Sequence, residues 1–288
     1  MKSYPDCGQC TLKWIYERVA HPLSEADRFT VLRRVMSVLS GGLGPSANQA
    51  ALWNKALDAV EEFFPASSAA YQDFKGKCNQ AAARLLDRAR EFVEKGESHR
   101  ERFARACGIA AMGNVSPSGA PSAPFEFPHI EEIITGKASL PTMVGDASEA
   151  ASRAHHVFYV ADNAGEIGFD SLLISLLKES GLRVTLIVKE EPFFDDATIR
   201  DASFFGLERV VDAILSVKKI FVPQTAPQEL ATLFAESDLV VSKGTGNCEA
   251  LKSETAGKTT IFLLKSKCPP MAKQMAVEVG KFIVKVED

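Results

Sequence analysis

Val157-Phe158-Tyr159-Val160-Ala161-Asp162-Asn163-Ala164-Gly165-Glu166-Ile167-Gly168-Phe169-Asp170 is the stretch that decides the fold. An apolar run rich in β-branched and aromatic residues stops at Asp-Asn and passes a glycine. It then resumes as an amphipathic helix through Leu172, Leu173, Leu176 and Leu177. Strand, tight turn and helix in this order form the unit whose carboxyl end holds ligands in open α/β sheets. Adjacent carboxylate and carboxamide oxygens at that turn suit a hard divalent cation better than a dinucleotide. Taken alone, the same residues also fit a turn that merely caps a helix.

Downstream, apolar runs at residues 184–188, 239–242 and 260–264 alternate with helical segments, and residues 282–286 read as a closing strand at an edge. Such alternation predicts a Rossmann-like, doubly wound, mostly parallel sheet. Upstream the pattern is helical. Residues 12–19 continue from Cys7-Gly8-Gln9-Cys10, and Ser24-Glu25-Ala26-Asp27 resembles a capping box opening a helix that Gly41-Gly42 stops. Residues 48–64, 71–95 and 100–112 add further helices. From Gly113 to Pro128 the chain turns to Gly, Ser, Ala and Pro, where successive prolines remove donors and block a helix. This segment is either a plain linker or a loop crossing a ligand site, with Gly113-Asn114 at its mouth. The expected organisation is a helical N-terminal subdomain over 1–128 and an α/β domain over 129–288.

The chain has 288 residues, room for a full core, and a net charge of −4, which gives no electrostatic case for nucleic acid as a partner. Met1–Asp6 is polar and lacks the apolar centre of a signal peptide, and no window is apolar enough to span a bilayer. A cytoplasmic protein without a membrane partner is therefore expected, with its six cysteines serving as thiols or ligands rather than as a disulfide framework. Oligomeric state is not legible.

Each apolar run ends in polar residues. The first ends in Asp162-Asn163. The run at 184–188 leads to Asp195-Asp196-Ala197-Thr198, whose aspartates either bind a ligand or cap the next helix. The run at 239–242 ends in Ser242-Lys243-Gly244-Thr245-Gly246-Asn247-Cys248-Glu249, and the run at 260–264 ends in Lys265. In a parallel sheet these groups converge on one edge. Asp162, Asn163 and Asp196 are hard oxygen ligands, Lys243 and Lys265 are cations, and the Gly244–Asn247 turn offers backbone N–H groups and a helix N-terminus to an anion. A cation, lysines and an amide cradle fit a phosphate ester, offsetting charge on the phosphoryl group and orienting an attacking water.

Competing nucleotide motifs fail. Gly257-Lys258-Thr259-Thr260 resembles the tail of a P-loop, but Lys252 holds the required upstream glycine position and the segment enters a strand. No G-x-G-x-x-G follows the first strand, and no G-x-S-x-G is present. Two rivals remain. One is an S-adenosylmethionine-dependent carboxyl methyltransferase, compatible with an acidic first turn. The other is a non-enzymatic thiol or metal sensor centred on Cys7 and Cys10.

The D-N-A-G-E turn, the D-A-T element at Asp196-Ala197-Thr198, the K-G-x-G-N-x-E element at Lys243–Glu249 and the L-L-K run at Leu263-Leu264-Lys265 together resemble the damage-control phosphatases. With the helical region bearing C-x-x-C, the resemblance spans nearly the whole chain and points to the small, largely prokaryotic branch of that family. It implies metal ligands at Asp162, Asn163 and Asp196, and catalytic roles for Asp162, Lys243 and Lys265. It also implies substrate contacts at Glu166, Asn114 and the Gly244, Thr245, Gly246, Asn247 loop. The implied activity is hydrolysis of small phosphorylated metabolites, either sugar phosphates or damaged nucleotides and their precursors. One divalent ion (Mn, Ni, Co or Mg) is the implied cofactor. Many relatives continue the Gly-Asn turn into an acidic segment, whereas here Asn114 leads into Val115-Ser116-Pro117-Ser118. The D-x-D-x-T signature of aspartyl-phosphate phosphatases is missing, so direct attack by water activated on the metal is the expected route.

Cys7 and Cys10 have no second C-x-x-C to complete a zinc set, and Cys78, Cys107, Cys248 and Cys268 are dispersed in sequence. Packing, metal binding and a redox role all remain open for the pair.

Overall fold

The computed structural model describes residues 1–64, 71–191, 193–255 and 257–288. A seven-stranded sheet forms its centre. In spatial order the strands are β1 (Thr142–Val144), β7 (Phe282–Glu287), β6 (Thr259–Lys265), β5 (Leu239–Lys243), β2 (His156–Val160), β3 (Arg183–Lys189) and β4 (Ala213–Val217). Strands β2 to β6 are mutually parallel, β7 runs antiparallel to β6, and β1 runs parallel to β7. The mostly parallel α/β fold expected from the alternating pattern is what forms. The closing strand is not at an edge, because β1 pairs outside it; those three exposed residues are too few to announce themselves in the sequence.

Strand alternation divides the core between the two faces. Val157 and Tyr159 join Leu173 and Leu177 of α8 (Glu166–Glu179) and Phe103 and Cys107 of α5 (His99–Met112). Phe158 and Val160 point the other way, to Leu230 and Phe234 of α10 (Gln228–Glu236) and to Leu251 of α11 (Gly244–Leu251). Helices thus cover both faces, as a buried parallel sheet requires. The chain winds from β2 through β3 to β4 in one direction, and β5 returns to the opposite side of β2. That reversal is the topological switch point, the crevice where open α/β sheets place ligands.

The N-terminal helices are α1 (Pro5–Ile15), α2 (Glu25–Gly42), α3 (Gln49–Asp58) and α4 (Tyr71–Glu94), with a π-helical turn at Tyr16–Ala20. Ser24 caps α2 by accepting from Asp27 N at 3.3 Å, as its capping box predicts. The helix runs through Gly41-Gly42 before it stops, and α3 ends earlier than its apolar pattern implies. Helices α4 and α5 share one apolar cluster with the sheet, running from Cys78 to Val284, while α1, α2 and α3 pack around Phe193 and Phe194. Among the described residues, no helix is long and apolar enough to cross a membrane.

Asp201, on α9 (Ile199–Phe204), fastens α4 to the sheet. Its buried carboxylate accepts from Thr198 N at 2.8 Å, Thr198 Oγ1 at 2.7 Å and Asn79 Nδ2 at 2.8 Å, and pairs with Lys75 Nζ at 2.7 Å. Thr198, not Asp195 or Asp196, is therefore the N-cap of this helix, which leaves the two aspartates for other work. Asp201→Ala strands a buried ammonium and a buried amide. It should lower the unfolding free energy by roughly 3–5 kcal/mol in urea titrations; a loss below about 1 kcal/mol would show that this fastening is dispensable.

Candidate functional site

Asp162 and Asn163 follow β2, and Asp195 and Asp196 lie in the loop after β3. Backbone hydrogen bonds zip the two segments together: Ala164 N donates to Asp195 O at 2.8 Å, and Ala197 N donates to Asp162 O at 2.8 Å. Asn163 and Asp196 form an isolated antiparallel bridge. Phe194 enters this loop with φ at 53°, a conformation costly for a side chain with a Cβ. Ring contacts with Trp14, Tyr71 and Phe193 hold it there. From the other side of the switch point, β5 delivers Gly244 with φ at +75°. It passes so close to Asp162 that a Cβ would lie 1.8 Å from Asp162 Oδ2.

These segments line one cavity of about 790 Å³, its open mouth included. The expected residues Asp162, Asn163, Asp196, Thr245, Gly246 and Asn247 all contribute to its wall. Sequence reasoning missed four charged members: Arg18, Asp195, Glu249 and Lys267. Asp195 and Glu249 stood inside quoted motifs, whereas Lys267 lies in Lys265-Ser266-Lys267-Cys268-Pro269, another strand-turn-helix junction. Arg18 carried no local signal; the π-helical turn sends it 177 residues along the chain to pair with Asp195.

The lining has four carboxylates against two cations. Burial, then the Glu166 charge, pushes the Asp162 carboxyl up to about 6, while Lys267 opposes the shift. Burial pushes Asp196 up to about 7; Lys189, 3.1 Å away, opposes this, while Asp162 and Asp195 add to it. Glu249 is pushed by burial up to about 7. Asp195 behaves oppositely. Burial would raise its pKa, but Arg18 and the Ser116 hydroxyl, which donates at 2.6 Å, more than reverse this and hold it below the ordinary value.

The donor set fits a divalent cation. Two carboxylates and a carboxamide at one crevice are hard oxygens, and crowding that raises carboxylate pKa values is relieved by a cation. Asn163 presents its amide to Asp162 Oδ2 at 3.0 Å and Glu166 Oε2 at 3.1 Å. With the amide nitrogen inward, both bonds form; with the oxygen inward, three oxygens converge and the nitrogen donates to Asp195 Oδ2 at 3.3 Å. The second orientation is the one a cation would select. Among the described residues, no group of three or more His, Cys, Asp or Glu side chains is arranged to hold a metal ion, so any ion here rests on two carboxylates and one carboxamide. An open set of this kind suits ions such as Mg²⁺ that keep part of their water shell.

Five residues expected at the phosphate site, Lys243, Glu166, Asn114, Lys265 and Gly244, are not in the described lining. Lys243, fully buried, donates to Glu166 Oε1 at 2.6 Å and to Asp170 Oδ1, so its ammonium lies behind the cavity. Glu166 is equally buried between Lys243 and Asn114, and its pKa is raised by burial against the pull of Lys243. Asn114 donates to Asp162 Oδ2 at 2.8 Å and Glu166 Oε2 at 3.0 Å and accepts from Lys265 N at 3.2 Å. Lys265 places its own ammonium 5.0 Å from the Phe282 ring centre, toward its β7 neighbour. The two lysines thus sit on neighbouring strands, but their ammonium groups do not converge on the cavity. Asn247, although in the lining, spends its amide on Ala161 O at 2.9 Å and Lys243 O at 2.8 Å, latching the ends of β2 and β5.

Of the C-x-x-C pair, Cys7 is buried and Cys10 exposed. Cys7 Sγ accepts from Tyr4 N at 3.4 Å and closes the first turn of α1. Cys10 faces the cavity beside Cys268, which the fold brings from the opposite end of the chain. Although Cys10 as a residue is exposed, partial desolvation of its thiol raises the pKa to about 12.

Comparison with known proteins adds an independent line. The family model described as the damage-control phosphatase ARMT1-like domain matches residues 4–283. A damage-control phosphatase of Archaeoglobus fulgidus is 27% identical over 291 residues, covering 99% of both chains. A second, from Pyrococcus horikoshii, is 32% identical over 185 residues, covering 63% of this chain and 64% of that protein. The crystal structure of a DUF89 family protein from Pyrococcus horikoshii superposes over 100% of both chains with a TM-score of 0.77 at 23% identity, which establishes the shared fold.

Gly244 tests the geometry directly. In Gly244→Ala the left-handed backbone alone costs about 1–2 kcal/mol, and the new methyl collides with Asp162 Oδ2. The variant should unfold at lower denaturant than the parent, and equal midpoints would refute the close approach of these two turns.

Proposed function

The chain belongs to the damage-control phosphatase ARMT1-like domain family, and from this premise we propose that it is a divalent-metal-dependent phosphatase that hydrolyses small phosphorylated metabolites by direct attack of water. The observation that carries the reading is the charge layout of the cavity. Even with Glu249 holding a proton, the three aspartates and two cations of the described lining leave no net positive charge to draw in a phosphate dianion without a further cation. Asp162, Asn163 and Asp196 are the residues that would hold one Mn, Co, Ni or Mg ion. When bound, such an ion would polarise the phosphoryl group and help ionise the attacking water.

The chain's own groups divide the remaining work. Lys267, whose charge already bears on Asp162 and Glu249, is placed to neutralise phosphate oxygens, the task expected of Lys243 and Lys265. The opening residues of α11, Thr245 and Gly246, border the same space and offer N–H groups at a helix N-terminus. Glu249, with its pKa near 7, can hold a proton for the departing alkoxide at neutral pH. Lys243, Glu166 and Asn114 fix the Asp162 carboxylate from behind. Neither rival gains support: the relatives are named phosphatases rather than methyltransferases or sensors.

A metal-by-substrate screen on chelator-stripped protein, with an aryl phosphate and then sugar phosphates and nucleotides, is the direct test. Turnover should return only with added metal and should be lost in Asp162→Ala and Asp196→Ala. Lys267→Ala should retain metal and lose roughly 100-fold or more in rate, while Lys265→Ala should lose much less. Undiminished turnover after stripping, or a larger loss at Lys265 than at Lys267, would overturn these assignments.

Proton competition gives a second test. Asp162 and Asp196 have raised pKa values, so the metal-free fold binds more protons than the unfolded chain between about pH 4 and pH 7. Their contribution to stability therefore falls as pH rises through that window, and a cation offsets the loss only where both are ionised. The manganese-induced rise in melting temperature should be larger at pH 8 than at pH 5.5. Equal shifts at the two values would argue that these carboxyls are not the ligands.

A further inference from the structure

Beyond its charged end, the cavity has a second wall of different chemistry. The chain contains two tryptophans, Trp14 and Trp53, and both line this cavity together with Phe193, Ile220 and Pro117. Their rings meet at 4.5 Å between centres and 50° between planes. Trp14 is nearly closed off, with the Arg18 guanidinium 4.8 Å over its ring and Phe194 edge-on at 4.9 Å. Trp53 is only half-buried and keeps surface toward the cavity.

The wall is fixed rather than incidental. Asn54, next to Trp53, donates to Ile220 O at 2.8 Å and accepts from Ile220 N at 3.3 Å, locking α3 to the loop that carries Ile220. Arg18 in turn pairs with Asp195 and donates to Gly119 O at 2.9 Å, tying the floor under Trp14 to the metal-binding loop and to the Ser116–Gly119 segment. Two segments held apart in sequence by more than 150 residues thus present apolar surface to one space.

We propose that Trp53 and Ile220 form a ring-binding subsite, so that the preferred substrate is a phosphate ester whose non-phosphate part ends in a flat aromatic or heteroaromatic ring. The inference rests on the phosphatase reading for the phosphate end, and on the aromatic wall alone for the ring. Indole and isoleucine side chains give the hydroxyls of a bare sugar phosphate few partners, and burying those hydroxyls unpaired costs binding. A flat ring loses little by leaving water and gains stacking contact.

Because both tryptophans line the cavity, intrinsic fluorescence reports on it selectively. Adenosine should quench it saturably and ribose should not, a comparison that needs neither phosphate nor metal. In metal-loaded protein, kcat/KM for adenosine 5′-monophosphate should exceed that for ribose 5-phosphate, which lacks only the base, by about 10-fold or more. Trp53→Leu should bring the ratio close to one by raising KM for adenosine 5′-monophosphate. Phenyl phosphate separates the sources of the ring: a shared preference shows that any flat ring suffices, and its absence shows that the heteroaromatic base is recognised.

The failures are distinguishable. Turnover with equal kcat/KM for the two phosphates and no quenching by adenosine overturns the subsite and leaves the phosphatase standing. Quenching by adenosine without turnover of any ester supports the subsite and removes the phosphatase. A full base preference retained in Trp53→Leu overturns the placement of the ring, and the parent comparison decides the question even where that variant does not fold.

Discussion

A lysine ammonium with no exposure to water sits at the centre of the strand ends, and the geometry around it follows from its need for partners. Lys243 closes β5 inside the core, where an unpaired charge would cost several kcal/mol. Glu166 and Asp170, one turn apart on α8, supply the counter-charge from a single helix face. Two carboxylates on one ammonium leave an excess of negative charge, and burial answers it by raising the pKa of both acids. Asn114 then takes up the free Glu166 oxygen and reaches on to Asp162, while its carbonyl accepts from the amide of Lys265. The ends of β2, β5 and β6 and the start of α8 are thereby tied into one buried polar network.

That network divides the strand ends into a dry side and a wet side. Lys243, Glu166 and Asn114 are on the dry side and position Asp162 from behind. Asp162, Asn163, Asp196, Glu249 and Lys267 border the cavity, where carboxylates crowd together and their pKa values rise toward neutrality. Arg18 more than offsets the burial of Asp195, whereas Lys189 does not offset that of Asp196. Adjacent residues in one loop thus acquire opposite electrostatic characters. The left-handed Phe194 that precedes them is held by aromatic rings from the N-terminal helices.

Where information was local, the sequence was sufficient. Asp162, Asn163 and Asp196 sit at strand-turn junctions whose apolar runs announce themselves, and the parallel fold brings those junctions to one edge. The lysines were not separable in this way. Lys243, Lys265 and Lys267 all follow apolar runs, and which ammonium enters the cavity depends on what lies behind each. For Lys243 it is a pair of acids, for Lys265 the Phe282 ring, and for Lys267 the cavity itself. Asp170 was legible in principle, because the Glu166-to-Asp170 spacing puts both acids on one helical face. Arg18 and the meeting of Cys10 with Cys268 were not, since both depend on contacts between distant segments. Strands β1 and β4 escaped notice for a different reason: their exposed or half-buried residues leave no clean alternation to detect.

The N-terminal region is therefore more than a cover for the sheet. The α/β part supplies the carboxylates, Asn163 and Lys267 that line the charged end of the cavity. The helices at the start of the chain supply Arg18, Trp14 and Trp53, which set the shape and polarity of the space beyond the phosphate. Chemistry common to a family can then stay with the strand ends while selectivity changes in the helices, provided the two remain in register. Arg18 is the residue that enforces that register, because its guanidinium touches the Trp14 ring, the Asp195 carboxylate and the Gly119 carbonyl at once. Paired with Asp195 and almost without exposure, although its Nε finds no partner, it cannot shift without leaving both buried charges of that pair unpaired. Arg18 thus ties the aromatic wall to the loop that carries Asp195 and Asp196, which is what a site needs if it is to hold both ends of one substrate.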